Sequence, residues 1–270
     1  MKIKPFIRWA GGKQNQYSQL LQYFPKEKNV NKYYEPFLGG GTMFLNTKYG
    51  DCHISDSNRH LINVYQKIQV NPFKLFNHLE TYQNGITEHE YYVLRNEFNS
   101  KKYNFTYKNA AIFILLNKSS FNGVYRVNMK GEYNVPFGKT KPSLPSMEQL
   151  QLVSDRLQSA TIDYHSFEEI HDKVQIDDFV YLDPPYPPIS DTSSFQHYTK
   201  TRFHLNDQER VFCLFESLSE RNVRTVLSYP DLPIIRKTYE EYNINELPTF
   251  RSVKSKGKQV KIKELVICNF

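Results

Sequence analysis

Apolar and polar positions alternate between two periods along the chain. "KYYEPFLGGGTMFLN" reads as a short strand, a glycine turn and the start of a helix. "DCHISDSN" reads as a second strand ending at Asp56. "RHLINVYQKIQ" then puts Leu61, Val64, Tyr65 and Ile68 on one helical face. Residues from about 72 to 116 keep a helical pattern through "YYVLRNEFN" and "AAIFILLN". "FNGVYRVNMKGEYNVPFGKTK" breaks it with alternation around a Met129-Lys130-Gly131 turn, the pattern of a hairpin with flanking loops. Helix returns in "MEQLQLVSDRLQS", strand in "FVYLDPPY", and helix again in "LNDQERVFCLFESLSER", with Asn206 placed to cap it. "VRTVLSY" is a strand, and residues 247–270 predict two strands joined by the basic loop Arg251 to Lys263.

Strands that alternate with helices predict a doubly wound α/β domain. The boundaries drawn from the pattern are a catalytic domain from residues 1–60 and 160–270, and a mostly helical insertion from 61–159 carrying the hairpin near 119–141.

Charge narrows the partner. Lys and Arg number 35 against 28 Asp and Glu, a net charge of +7, and aromatic residues make up 15% of the chain. A basic, Tyr-rich surface suits a polyanion whose bases stack on rings, although an AT-rich genome inflates the same residue types. Cys52, Cys213 and Cys268 lie far apart without metal-ligand spacing, so reduced thiols and a cytoplasmic location are expected. The N-terminal stretch lacks an apolar signal core, and no run reaches the length of a membrane span.

The glycines of "EPFLGGGTMF" let the backbone approach a ligand. Gly39 and Gly41 match a dinucleotide fingerprint, but its third glycine is Phe44, which favours a nucleoside without a pyrophosphate. Asp56, at the end of the next strand, is placed to accept ribose hydroxyls; capping the helix at Arg59 is the simpler alternative for Asp56 alone, but the glycine turn and Asp56 together favour a nucleoside cofactor. In "FIRWAGGK", Lys13 follows Gly12, yet Gln14 stands where a Walker loop needs Ser or Thr.

"DPPY" carries the chemistry. The prolines lack an N–H and end the strand, leaving Asp183 at its carboxyl edge, where open α/β sheets bind ligands. An exocyclic amino group on a flat ring is a poor nucleophile because its lone pair delocalises. The Asp183 carboxylate accepts one of its N–H groups, the Pro184 carbonyl accepts the other, and Tyr186 stacks on the ring.

Taken in order, "FIRWAGGK", "YEPFLGGGTMF", "ISDSN", "FNGVYRVNMKGEYNVPFGKTK", "YLDPPY" and "KELVICN" resemble the Dam-type, D12 class DNA adenine N(6)-methyltransferases over nearly the whole chain. The resemblance implies a Rossmann-like methyltransferase sheet, S-adenosyl-L-methionine as cofactor, and double-stranded DNA as partner. It maps catalysis onto Asp183, Pro184 and Tyr186, and cofactor contacts onto Trp9, Lys13, Glu35, Phe37, Gly39, Asp56, Phe167 and Asp183. It maps DNA contacts onto Arg8, Phe121, Asn122, Val124, Arg126, Pro136 and Lys139, with Arg126 toward a guanine edge, Phe121 and Asn122 at the disturbed base stack, and Val124 and Pro136 near a thymine methyl. Three positions depart from the family pattern. Ser166 stands where many members carry Asp, Tyr229 where many carry Asn, and Lys139 where many carry Arg, giving a point charge in place of a fork.

The hairpin region carries Lys118, Arg126, Lys130, Lys139 and Lys141 against Glu132, a basic face that favours DNA over a merely solvated surface, whereas the basic loop Arg251 to Lys263 fits phosphate contact or water equally. "SDTSSFQHYTKTRF" is long, polar and aromatic, and reads as a lid over a flipped base or as a plain surface loop. His89-Glu90 begins a zinc helix motif that Val93 leaves unfinished, and Pro230-Asp231 begins a nuclease motif that nothing downstream completes, so no catalytic metal is expected. The expectation is a monomeric, nucleoid-associated DNA adenine methyltransferase acting in GATC, the commonest family site, by base flipping, with a restriction enzyme of the same site as a candidate partner. The alternatives are an RNA adenine or DNA N(4)-cytosine methyltransferase, and a non-catalytic DNA-binding regulator on the same scaffold.

Overall fold

The computed structural model describes residues 2–101, 104–138, 142–186, 205–255 and 258–270, without the side chains of 205–206 and 249–262. Lys139, Lys141 and the stretch 190–203 lie outside the described residues, as do Lys256 and the side chain of Lys258 within the basic stretch Arg251 to Lys263.

The strands are β1 (Tyr33–Glu35), β2 (Cys52–Asp56), β3 (Ala160–Tyr164), β4 (Phe179–Leu182), β5 (Arg224–Pro230), β6 (Asn243–Ser255) and β7 (Lys258–Cys268). The helices are α1 (Tyr17–Leu20), α2 (Thr42–Asn46), α3 (Arg59–Val70), α4 (Pro72–Glu80), α5 (Glu88–Ser100), α6 (Tyr107–Ser119), α7 (Met147–Leu157), α8 (Leu205–Glu220) and α9 (Pro233–Thr238). They build the expected α/β architecture around one seven-stranded sheet of order β3-β2-β1-β4-β5-β7-β6. Strands β3, β2, β1, β4 and β5 run parallel, and β7 is antiparallel to both β5 and β6. The strand order reverses between β1 and β4, which makes the crevice at their carboxyl ends the topological switch point.

Packing follows the periodicities. Leu61, Val64, Tyr65 and Ile68 of α3 are buried in one apolar cluster with Tyr33, Ile54 and Tyr181 from the sheet and with Ile112–Leu116 of α6. Each such side chain contributes about 1.5–3 kcal/mol through burial. The opposite sheet face packs Tyr34, Val180, Leu182 and Leu227 against Val211, Phe215 and Leu218 of α8.

The chain departs from the sequence-based expectation in three places. The hairpin exists as two bridged segments, Ser120 with Phe137 and Val127 with Tyr133, rather than as regular strands. The C-terminal strands begin at Asn243, and most of the basic stretch Arg251–Lys263 is itself strand, because β6 and β7 pair from Asn243 opposite Cys268 to Ser255 opposite Lys258. Helix α8 begins one residue before Asn206, so Asn206 is a first-turn residue and not its cap.

Candidate active site

β4 is buried along its whole length, and it stops at Leu182 because Pro184 and Pro185 cannot extend the ladder. Asp183 therefore stands at the switch point with its side chain 18% exposed. Its Oδ1 accepts from Lys13 Nζ at 2.5 Å and from Ser228 Oγ at 3.3 Å. Lys13 Nζ also lies 2.6 Å from Glu264 Oε1, and these two side chains are only 2% and 1% exposed. The Tyr186 hydroxyl donates to Glu264 Oε1 at 2.6 Å and accepts from Lys13 Nζ at 3.1 Å. One ammonium thus bridges two carboxylates and a phenol, an arrangement whose desolvation is repaid only while every partner is present.

The turn after β1 forms the neighbouring wall. Gly39 adopts φ +48°, and a Cβ there would come within 2.7 Å of the Trp9 indole. Its N–H donates to Asp56 Oδ2 at 2.9 Å, and its carbonyl accepts from the Tyr65 hydroxyl at 3.0 Å. The other Asp56 oxygen accepts from Asn58 N at 2.8 Å. Asp56 is not the cap of α3, because Asn58 Oδ1 takes that role, accepting from His60 N and Leu61 N. Burial pushes the Asp56 carboxyl up to about 6. Phe37 and Phe167 stack with centroids 4.9 Å apart and an interplanar angle of 29°. Ser166 caps the short turn Phe167–Ile170; its N–H donates to Glu169 Oε1 at 3.0 Å and its hydroxyl to Glu168. Glu35 points inward, accepting from the Tyr33 hydroxyl at 2.7 Å, and burial pushes its carboxyl up to about 8.

The bridged segments of 120–137 sort their side chains by face. Tyr125, Val127, Tyr133 and Val135 are buried, whereas Val124, Arg126, Asn134 and Pro136 alternate with them on the outer side. Arg126 is held across the pair, Nε donating to Asn134 Oδ1 at 2.8 Å and Nη2 to Asn134 O at 3.3 Å. Phe121 and Asn122 are exposed at the entry, with Asn122 at φ +59°.

The family model for "D12 class N6 adenine-specific DNA methyltransferase" matches residues 9–253. The chain belongs to the D12 class of adenine-specific DNA methyltransferases. It is 37% identical over 289 aligned positions to the Type II methyltransferase M.MjaIII of Methanocaldococcus jannaschii, covering all of both chains. It is 33% identical to the Type II methyltransferase M1.LlaDCHI of Lactococcus lactis subsp. cremoris, over all of this chain and 96% of the relative. It is 31% identical to the DNA adenine methylase of Escherichia coli K12, over 98% of this chain and 95% of the relative.

In this adenine methyltransferase, the residues expected to act together are grouped unevenly. Asp183, Tyr186 and Lys13 form one hydrogen-bonded cluster. Phe37, Gly39, Asp56 and Phe167 line the carboxyl ends of β1 to β3, and Glu35 is turned away from them toward Tyr33. Trp9 packs between the glycine turn and the hairpin, stacking on Tyr125 at 5.6 Å and 22°. Tyr229 is buried beside Tyr186, with centroids 5.9 Å apart, and its hydroxyl has no hydrogen-bond partner among the described residues.

Three positioning residues carried no sequence-based assignment: Glu264, Ser228 and Asn117. Glu264 reaches the site because β7 pairs Glu264 with Pro230 of β5. Asn117 is fully buried in α6, accepting from Arg8 N at 2.8 Å and donating to Arg8 O at 2.8 Å and Gly123 O at 3.2 Å. Gly123 sits at φ +64°, and a Cβ there would collide with the Arg8 stem, so the close approach of Arg8 requires glycine. Burial and then the Arg8 charge push the neighbouring Lys118 ammonium down to about 8.

Proposed function

We propose that this methyltransferase moves a methyl group from S-adenosyl-L-methionine to the exocyclic amino nitrogen of adenine in duplex DNA, within GATC, with the target base turned out of the helix. The observation that carries the reading is the Asp183 carboxylate at the β4 edge, already accepting an N–H from Lys13 where an amino group would be held.

The residues around the glycine turn fit the cofactor. Asp56 accepts from two backbone N–H groups, one on each oxygen, and a carboxylate so placed retains acceptor capacity for ribose hydroxyls. The stacked rings of Phe37 and Phe167 offer an aromatic surface for adenine. When bound, S-adenosylmethionine supplies an electrophilic methyl group. The chain then has three tasks. Asp183 accepts one N–H of the target amino group, and the Pro184 carbonyl, beyond the last ladder position of β4, accepts the other. Tyr186 stacks on the base, with its hydroxyl anchored on Glu264. Lys13 keeps its contact to Glu264 when the amino group takes its place on Asp183. The amino group is paired inside the duplex, so reaching it requires extrusion of the base.

Val124, Arg126 and Pro136 share the outer hairpin side, which supports GATC as the site, with Arg126 on guanine and the apolar pair near a thymine methyl. The Type II names of two relatives make a restriction enzyme of the same site a candidate partner, and one chain is taken as the active unit. The test is labelled methyl transfer to duplexes that carry GATC or a variant at each base, followed by nucleoside analysis. The expected product is N6-methyladenine in GATC. Transfer to cytosine or only to RNA would refute the substrate assignment, and equal transfer to scrambled duplex would refute the site.

A further inference from the structure

The parallel pairing of β2 with β3 gathers three metal-binding side chains on one face of the sheet. His53 stands opposite Thr161, and Ser55 opposite Asp163. Side chains two residues apart in a strand share a face, so His53, Asp163 and then His165 point the same way. His53 Nε2 lies 3.0 Å from Asp163 Oδ2 and 3.4 Å from His165 Nε2, and the three atoms are within 4.8 Å of one another. Both imidazoles are buried, at 5% and 7% exposure. None of the three belongs to the Asp183 cluster or to the residues assigned to cofactor and DNA.

Hydrogen bonding alone serves this group incompletely. His165 Nδ1 is 2.8 Å from Ser166 O, a carbonyl that can only accept. In the neutral ring the proton is therefore on Nδ1, and His165 Nε2 presents a lone pair. Asp163 Oδ2 presents another. His53 Nε2 faces both with at most one proton to give. Lys173 Nζ lies 3.7 Å from Asp163 Oδ2, and its charge reaches His53 as well. A cation serves all three atoms at once. Bonds of about 2.0–2.1 Å in a tetrahedral site put ligand atoms about 3.3 Å apart, close to the 3.0 and 3.4 Å that separate His53 Nε2 from its two neighbours. The bond from His165 Nδ1 to a backbone carbonyl is also the outer contact that fixes a metal-bound imidazole.

We propose that His53 Nε2, His165 Nε2 and Asp163 Oδ2 bind one divalent transition-metal ion, Zn2+ in the first instance, with water as the fourth ligand. Two imidazoles favour Zn2+, Co2+, Ni2+ or Cu2+ over Mg2+ and Ca2+. The ion is structural: it fastens β2 just before Asp56 to the chain just before Ser166 and Phe167. The inference stands independently of the methyl-transfer reading, because its readouts are binding and spectra.

The experiment is a titration of chelator-treated full-length chain with Co2+. One Co2+ per chain, with the intense visible bands of a four-coordinate site and displacement by Zn2+, is the expected result. Asp163→Asn, at a carboxylate 42% exposed, should weaken Co2+ binding at least about tenfold and alter the bands. The double variant His53→Gln/His165→Gln should lose the site, with folding checked by circular dichroism. Weak octahedral-type bands in the wild type would overturn the proposal. So would binding retained by the folded double variant, or, should that variant not fold, unchanged Co2+ affinity and spectrum in Asp163→Asn.

Discussion

Lys13 and Asp183 lie 170 positions apart in the chain, yet the ammonium of one touches the carboxylate of the other at 2.5 Å. Glu264 closes on the same ammonium from the opposite strand, so removing Lys13 would strand two carboxylates in a water-poor crevice. Lys13→Met should cost about 3–5 kcal/mol of stability. The double variant Lys13→Met/Glu264→Gln should lose less than the sum of the single losses. Urea denaturation of the four proteins measures the coupling, and strictly additive losses would show that the contact is energetically idle.

Asp183→Ala should abolish methyl transfer, and near wild-type turnover would sink the amino-group role. Tyr186 separates two contributions. Tyr186→Ala removes base stacking worth about 1–3 kcal/mol. Tyr186→Phe keeps the ring and removes the hydroxyl bonded to Glu264. Turnover should therefore fall much further in the alanine variant than in the phenylalanine one. Equal losses would move the role of Tyr186 from the ring to its hydroxyl.

Asp56→Ala should weaken S-adenosylmethionine binding by about 1.5–3 kcal/mol, the range of a hydrogen bond to a charged acceptor. The ionised form is the better acceptor, and burial has pushed this carboxyl up to about 6. Affinity in the wild type should accordingly rise as pH is raised through that value, and Asp56→Asn should lose the step. Calorimetric titration across the pH range checks both, and a flat wild-type profile would remove Asp56 from the cofactor contacts.

Glu35 predicts a pH-dependent stability. Its folded carboxyl is raised to about 8 from an ordinary value of 4.5, chiefly by burial. Between those values the folded chain holds a proton that the unfolded chain has released. Stability is therefore full at the acidic end and declines as pH rises, by up to about 1.4 kcal/mol per unit. Asp56 adds the same sign over its narrower window. Glu35→Gln should flatten most of this slope and exceed the wild type in stability above about pH 8. Urea midpoints of the cofactor-free protein test it, and parallel profiles for the two proteins would show that Glu35 is already ionised in the fold.

Arg126→Ala should cost about 1–3 kcal/mol and relax choice at a single base pair. Asn134→Ala removes the cross-strand partner of the guanidinium and should produce a smaller loss at that same position. Methylation of oligonucleotides varied at each base separates the outcomes. A uniform decline over all sites would reassign Arg126 to phosphate.

The local signals in the sequence were those that depend on near neighbours. The apolar stripe of α3, the strand-stopping prolines after Leu182 and the glycine turn after β1 each follow from a few adjacent residues, and each is found. Capping of α3, the simpler alternative for Asp56, falls instead to Asn58 two positions on, because both residues are capable and only the backbone path decides between them. Glu264 sits in a recognised C-terminal motif, but its role requires the antiparallel β5–β7 register. His53, Asp163 and His165 were silent for the same reason, since parallel pairing of β2 and β3 brings together segments more than a hundred residues apart. The basic stretch before Lys263 looked like a loop because Lys and Gly are poor strand formers, and its pairing overrides that preference.

The grip of Asn117 on Arg8 and Gly123 bears on any attempt to graft sequence preference between relatives. Exchanging the 120–137 segment alone would import its outward side chains while leaving their anchors behind. The amide that fastens the hairpin belongs to α6, and the stem that fills the space above Gly123 belongs to the N-terminus. The transplantable module is therefore discontinuous, made of the N-terminal segment, the end of α6 and the hairpin. Chimaeras that respect that three-part seam should retain a defined preference, whereas single-segment swaps should blur it.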